Sequence, residues 1–307
     1  MPEAHPNPIH KFAHQAMGTF FEIVIAHADG VYAGQAAQAA FGEIDRTERL
    51  FSRFDLRSEI GQINRMKPGQ RLPIGIETYE SLAIAEQVRE ETGGAFDINR
   101  KAWENRNNGQ DGDTEEEATA LSPAAFSLFE TEAGFEILRS PGEPGARPAL
   151  DLDLGGIGKG YALDSALEIL LDWSIENVLL HGGTSTALAA GTAPRGDEDR
   201  EGWPVGIGGG WPSLGVPRQL VLFEQALSGS GTEVKGAHIN DPRTGKPARG
   251  HVAAWAVHSA AAVADALSTA FMVMSTDEVE NFCTRHAEAG ALLVVDYGKC
   301  RVFNYGI

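Results

Sequence analysis

Apolar positions change period several times along the chain, and each change marks an element. Met17-Gly18-Thr19 opens a strand that continues through residues 20–26. Over residues 31–51, Ala36, Ala40, Ile44 and Phe51 fall on one face at helical spacing. A second helix is expected over residues 77–92, with Leu82, Ala83 and Val88 inward, ending at Gly93-Gly94. Glycine just past a helix is an ordinary stop. Short strands are expected near 126–129, 135–138, 177–180, 203–207 and 219–223. Residues 252–258 read as an apolar strand and 259–274 as an alanine-dense helix. A last helix over 277–289 and strands over 291–296 and 301–305 follow. Residues 1–15 read as a mobile lead, and 105–118 and 192–202 as polar loops. There is no internal repeat.

The most informative stretch is 149–171, ALDLDLGGIGKGYALDSALEILL. Leu150, Leu152 and Leu154 alternate with Asp151 and Asp153, the pattern of a half-buried strand. Four glycines follow at 155, 156, 158 and 160, and from Tyr161 onward a helical stripe runs through Leu163, Ala166, Leu167, Leu170 and Leu171. A strand, a glycine turn and a helix in that order present backbone N–H groups to an anion, and Lys159 adds a cation. Neither familiar glycine fingerprint is met. A P-loop requires glycine where Asp153 stands and Ser or Thr where Gly160 stands, and Gly156-x-Gly158-x-Gly160 is not G-x-G-x-x-G. By itself the turn reads equally well as a plain strand-to-helix connection.

The 42% of hydrophobic residues indicates a folded core. The net charge of −18 argues against a nucleic-acid backbone or an anionic membrane surface as partner. An anionic ligand therefore needs local help from Lys159, a helix N-terminus or a metal ion. Cys283 and Cys300 are too few for a disulfide framework and lack metal-ligand spacing. The first residues contain no apolar core of a secretory leader, and no apolar run reaches membrane-spanning length, so a cytoplasmic protein without a membrane anchor is expected.

Three further features carry candidate chemistry. On the alanine-rich helix, Asp265, Ser268 and Thr269 lie at i, i+3 and i+4, so three oxygen-bearing side chains share a face. They form either a hydrogen-bonded surface trio or a site for a hard cation. His238 precedes Asp241-Pro242-Arg243-Thr244-Gly245, which is turn chemistry, and the histidine reads as a turn residue or as a proton acceptor near neutral pH. Phe54, on pattern alone, belongs to the core.

In this order the pieces resemble the ApbE family of FAD:protein FMN transferases. The carriers are MGT at 17–19, FSRFDLRSEIGQIN at 51–64, TGGAFDI at 92–98, LDLGGIGKGYALD at 152–164, GSG at 229–231, HINDPRTGKP at 238–247 and ADALSTAFMVM at 264–274. The resemblance implies an α+β fold of two intimately joined lobes, T-fold-like in topology, enclosing a flavin cleft and formed by residues 16–307 after a flexible lead. It implies transfer of FMN from FAD to a Thr or Ser hydroxyl of an acceptor protein through a phosphodiester, with release of AMP and dependence on Mg²⁺. An FAD pyrophosphatase and a non-catalytic FAD-binding protein are the alternatives. Carried onto matching positions, Met17, Phe54, Ala95, Phe96, Asp97, Asp153, Lys159 and Asn240 become flavin-dinucleotide contacts. Gly156, Asp265, Ser268 and Thr269 become the metal site, and His238 the group that assists the incoming hydroxyl. Phe54 stands where the family often has tyrosine, and Gly182-Gly183-Thr184 where it commonly has Gly-Gly-Asp.

Overall fold

The computed structural model describes residues 7–101, 124–141, 150–194, 201–208, 216–231, 239–296 and 299–304. Its centre is an eight-stranded antiparallel sheet in the order β1-β2-β6-β7-β10-β11-β12-β13. These strands are β1 Ile9–Ala16, β2 Thr19–Ala26, β6 Val178–Gly182, β7 Thr186–Ala190, β10 Gln225–Gly231, β11 Ala253–His258, β12 Gly290–Asp296 and β13 Lys299–Phe303. A smaller sheet, β3-β5-β4, comprises β3 Arg71–Ile74, β4 Phe126–Thr131 and β5 Gly134–Arg139. β8 Trp203–Gly206 and β9 Gln219–Leu222 pair separately. The helices are α1 Gly30–Phe51, α2 Glu59–Ile63, α3 Ile76–Glu91, α4 Gly158–Asp172, α5 Ala261–Val273 and α6 Thr276–Arg285. This is the α+β class that the sequence implies.

Period-two alternation explains why the large sheet is covered on both faces. On β2, Phe21, Ile23 and Ile25 turn toward α1 and α4, where they meet Ala36, Ala40, Ile44, Leu163 and Ala166. Val24 and Ala26 face the other way, into a core that Trp203, Val205, Leu220 and Leu222 of the β8–β9 pair complete. A third core joins α3, the small sheet and α5 through Ile74, Leu82, Ile137, Leu267 and Phe271. Among the described residues no helix is long and apolar enough to cross a membrane.

The sequence and the structure differ at several places. Residues 9–15, expected as part of a mobile lead, belong to the edge strand β1, Ile9–Ala16. Its turn to β2 places Met17 at φ 50° and Gly18 at φ 70°, the left-handed pair of a two-residue hairpin. Residues 150–154 form a single bridge, Asn99 to Leu152, instead of a strand. The alternation is still real, because Leu150, Leu152 and Leu154 are buried. Much of the ladder, however, is replaced by side chains. The Asn64 amide donates to Leu152 O at 3.0 Å and accepts from Leu152 N at 2.6 Å, while Asn99 Oδ1 accepts from Asp151 N at 3.0 Å. The following helix begins at Gly158, three residues before the expected change of period. Strands β3, β7 and β10 escape the pattern reading: TALAA and QALSGSG lack the branched and aromatic residues that mark strands. The expected loop at 105–118 lies outside the described residues.

Candidate active site

α4 and α5 meet at their N-terminal ends, and this junction builds the site. Asp164 of α4 accepts the backbone N–H groups of Ala261 and Ala262, both at 2.8 Å, and so caps α5, which has no cap of its own. Burial pushes the Asp164 carboxyl up to about 6, against the pull of those two N–H groups. The absence of a side chain at Gly160 lets the two helices approach.

Asp265, one turn into α5, is only 4% exposed. A carboxylate so buried requires partners around it. Oδ2 accepts from Gly160 N at 3.2 Å and from Lys159 Nζ at 3.1 Å. Oδ1 accepts from Lys159 Nζ at 3.2 Å, Thr186 Oγ1 at 3.3 Å and Ser228 Oγ at 3.1 Å. Thr186 and Ser228 are cross-strand partners on β7 and β10, with hydroxyls 3.0 Å apart. The Ser268 hydroxyl donates to Asp265 O and lies 2.9 Å from Ser230 Oγ, fully buried on the β10 side. Thr269 is less buried, and its Oγ1 would lie 3.4 Å from a Cβ built on Gly156. Phe96 would lie 3.2 Å from that same Cβ, so Gly156 is held between the Phe96 ring and Thr269.

Of the expected site residues, hydrogen bonds and packing therefore gather Phe96, Gly156, Lys159, Asp265, Ser268 and Thr269. Asp153 adjoins them: its Oδ1 accepts from Gly155 N at 3.0 Å and its Oδ2 from Arg53 Nη1 at 3.1 Å. With the N–H groups of Gly155 and Gly160 already bonded to carboxylates, the turn is not the open anion cradle that its glycines suggest. Phe54, expected in the core on pattern alone, is 83% exposed, with the Arg53 guanidinium 4.9 Å from its ring centre. The loop that carries it is drawn inward by Ser58, which caps α2 at Gly61 N, and this leaves the Phe54 ring in solvent. Ala95 is core, and Asp97 Oδ1 accepts from Asn99 N at 2.7 Å. Met17 is bound elsewhere, its N–H donating to Glu48 Oε1 at 2.8 Å. Asn240 pairs with Pro247 across the neck of the Asp241 turn. His238 lies outside the described residues.

Sequence reasoning missed Thr186 and Ser228 as partners of Asp265, and Asn64 and Arg53 as residues that position the turn. Only the GSG motif at 229–231 hinted at this: its Ser230 and the preceding Ser228 face α5, while Gly229 between them makes room for Trp255 on the opposite face.

Among the described residues no group of three or more His, Cys, Asp or Glu side chains could hold a metal. A cation at this junction would rest on one carboxylate, Asp265, with neutral oxygens from Thr269 and the Gly156 backbone. That donor set suits a hard ion such as Mg²⁺, which binds through one or two carboxylates and keeps several waters. The Lys159 ammonium lies beside Asp265, 3.1 Å from its Oδ2.

The profile of the ApbE family matches residues 17–293. The chain belongs to the ApbE family. It is 29% identical over 162 residues to the FAD:protein FMN transferase of Rhodobacter capsulatus, a match covering 50% of this chain and 30% of that protein. With the FAD:protein FMN transferase of Klebsiella pneumoniae (strain 342) it shares 21% identity over 296 residues, 91% of this chain and 83% of that protein. Its fold matches the apo crystal structure of the Pseudomonas stutzeri flavinyl transferase ApbE with a TM-score of 0.72 and 21% identity, covering 97% of this chain and 95% of that one. In ApbE-family terms, the Lys159–Asp265 junction lies where the motifs at 152–164 and 264–274 meet.

Proposed function

We propose that the protein is an Mg²⁺-dependent FAD:protein FMN transferase. The acceptor is a Thr or Ser hydroxyl of a second protein. Its oxygen forms a bond to the FMN-side phosphorus of FAD, the bond from that phosphorus to the bridging oxygen breaks, and AMP leaves with the bridging oxygen. In this reading the hydroxyl proton passes to His238. Histidine has the pKa range for that task near neutral pH.

The observation that carries the reading is the junction of Gly156, Lys159, Asp265 and Thr269 within a chain matched to the family from 17 to 293. Phosphoryl transfer depends on positioning and on neutralising charge on the phosphate oxygens. In a protein of net charge −18, that neutralisation must be local. Bound Mg²⁺ supplies part of it. Lys159, on the first turn of α4, is within reach of a pyrophosphate laid over the Gly155–Gly156 turn. Phe54 offers an open aromatic face for an isoalloxazine or adenine ring, with Arg53 beside it. Asp153 orients Arg53 and closes the turn.

Incubation with FAD and Mg²⁺, with and without a candidate acceptor protein, tests the proposal. AMP release together with a covalent flavin mass on the acceptor is the expected result. AMP released equally without acceptor identifies a hydrolase, and FAD binding without AMP release identifies a binding protein.

A further inference from the structure

The Asp265 carboxylate is held by two kinds of partner. Three are neutral and rigidly placed: the Gly160 N–H on the first turn of α4, and the Thr186 and Ser228 hydroxyls on adjacent strands. The fourth is the Lys159 ammonium, within 3.1 and 3.2 Å of the two carboxylate oxygens and carried on a flexible side chain that is 23% exposed. Its other hydrogen bond, to Gly155 O, is long at 3.5 Å. Removing Lys159 from this place would leave the carboxylate's orientation intact, because the three neutral donors hold it, and would leave a charge that must be met by another cation. The Thr269 hydroxyl is 3.4 Å from the Asp265 backbone O and would lie 3.4 Å from a Cβ built on Gly156.

We propose that Lys159 is a surrogate cation for Asp265: it occupies the ion's place in the cation-free protein and is expelled when a divalent ion binds. The inference rests on the metal site proposed above and adds a coupling to it. The ammonium and the ion compete for one carboxylate. The ion therefore binds more weakly than the donor set alone would allow, and its arrival frees a lysine beside the glycine turn, where a pyrophosphate would lie. Cation loading thus prepares the anion site. In the cation-free protein Asp265 is never left buried without a counter-charge, and Lys159 is kept from the anion site.

Two measurements on the full chain without FAD test this. First, Mn²⁺ affinity is determined by calorimetry and by the electron paramagnetic resonance of free Mn²⁺. Lys159→Met and Lys159→Gln should each bind Mn²⁺ about ten-fold more tightly than the unaltered protein, which corresponds to ~1.4 kcal/mol. Asp265→Asn should abolish that binding in either background. Gln keeps a hydrogen-bond donor, one bond shorter than the lysine, so it preserves the fold if Met does not. Second, acetylation of Lys159 by a water-soluble amine reagent, followed by mass spectrometry, should accelerate several-fold when Mg²⁺ is added. Unchanged or weaker Mn²⁺ affinity in both lysine variants would overturn the proposal, as would Lys159 reactivity indifferent to Mg²⁺ or Mn²⁺ binding that survives Asp265→Asn. Neither measurement reads turnover. A protein that exchanges lysine for the ion yet releases no AMP from FAD refutes the transferase reading alone, and one that transfers FMN without the exchange refutes this inference alone.

Discussion

Gly160 of α4 lies directly against Ala261, the first residue of α5. A Cβ at position 160 would come within 2.1 Å of Ala261 O and 2.7 Å of Ala262 Cα. No side chain is accommodated at that distance without movement of backbone, and the backbone that would move carries both the Gly160 N–H and Asp265. Gly160→Ala should therefore lower stability by about 1–3 kcal/mol, the usual cost of overpacking. Gly158→Ala is the control. Its Cβ would meet Phe51 at 3.6 Å and Leu154 at 3.8 Å, ordinary contact distances, and alanine favours the helix. Urea unfolding of the two variants should show a large drop in midpoint for Gly160→Ala and little or none for Gly158→Ala.

Asp164 makes the same junction sensitive to pH. Its carboxyl titrates at about 6 in the folded protein rather than at the ordinary 3.8, chiefly because burial penalises the charge; Glu168 and Asp265 add to the rise. The folded state therefore keeps a proton that the unfolded chain has already released. Stability from this group falls as pH rises from about 4 to about 6, then stays level. A shift of roughly two units corresponds to at most about 3 kcal/mol. Asp164→Asn retains one capping oxygen and cannot titrate. Its unfolding midpoints across this pH range should lack the decline seen in the unaltered protein, whatever its absolute stability.

Phe54 is the clearest separation of fold from ligand. With the ring 83% exposed, Phe54→Ala should change folding stability by less than about 0.5 kcal/mol. Loss of an aromatic stacking partner is worth about 0.5–1.5 kcal/mol, or roughly two- to twelve-fold in FAD affinity. Titration followed by flavin fluorescence, beside a thermal melt, reads both quantities. A large loss of stability with unchanged FAD affinity would restore Phe54 to a packing role.

The three oxygens on α5 are not equivalent. Asp265 is the charged group, Thr269 faces Gly156, and the Ser268 hydroxyl is turned toward Ser228 and Ser230. Asp265→Ala should lower Mg²⁺-dependent AMP release by at least about a hundred-fold and raise the Mg²⁺ concentration required. Ser268→Ala, which perturbs the support of the carboxylate, should cost about ten-fold or less. Thr269→Ala should fall between them. AMP release measured over a Mg²⁺ series ranks the three.

Several parts of this architecture are legible in the sequence because they depend on neighbours close along the chain. The stripes that place α1, α3, α4 and α5 are local periodicities, and their observed bounds depart from the pattern by at most three residues, the largest departure being the earlier start of α4. The alternation of Leu150, Leu152 and Leu154 with Asp151 and Asp153 correctly assigns inward and outward faces. It does not reveal that asparagines from two other segments would take over much of the ladder's hydrogen bonding, because Asn64 lies 88 residues from Leu152. β7 and β10 were invisible for a related reason. Small side chains carry no strand signal of their own, and both strands exist because neighbouring strands pair with them and α5 packs against them.

Legible from the sequence were the five longer helices, the α+β class, the family and the set of polar residues gathered on the glycine turn and on α5. Tertiary structure alone decided which of those residues meet. Asp265 is reached by Lys159 from 106 residues away, by Thr186 from 79 and by Ser228 from 37. Tertiary structure also turned Phe54 outward, where an aromatic residue next to Phe51 reads as core, because Ser58 folds the intervening loop back on itself. The physical reason is the same in each case. Periodicity records whether a side chain is buried, whereas a buried charge is stabilised by the particular donors around it, and those donors are brought together by strand pairing and helix packing between distant parts of the chain.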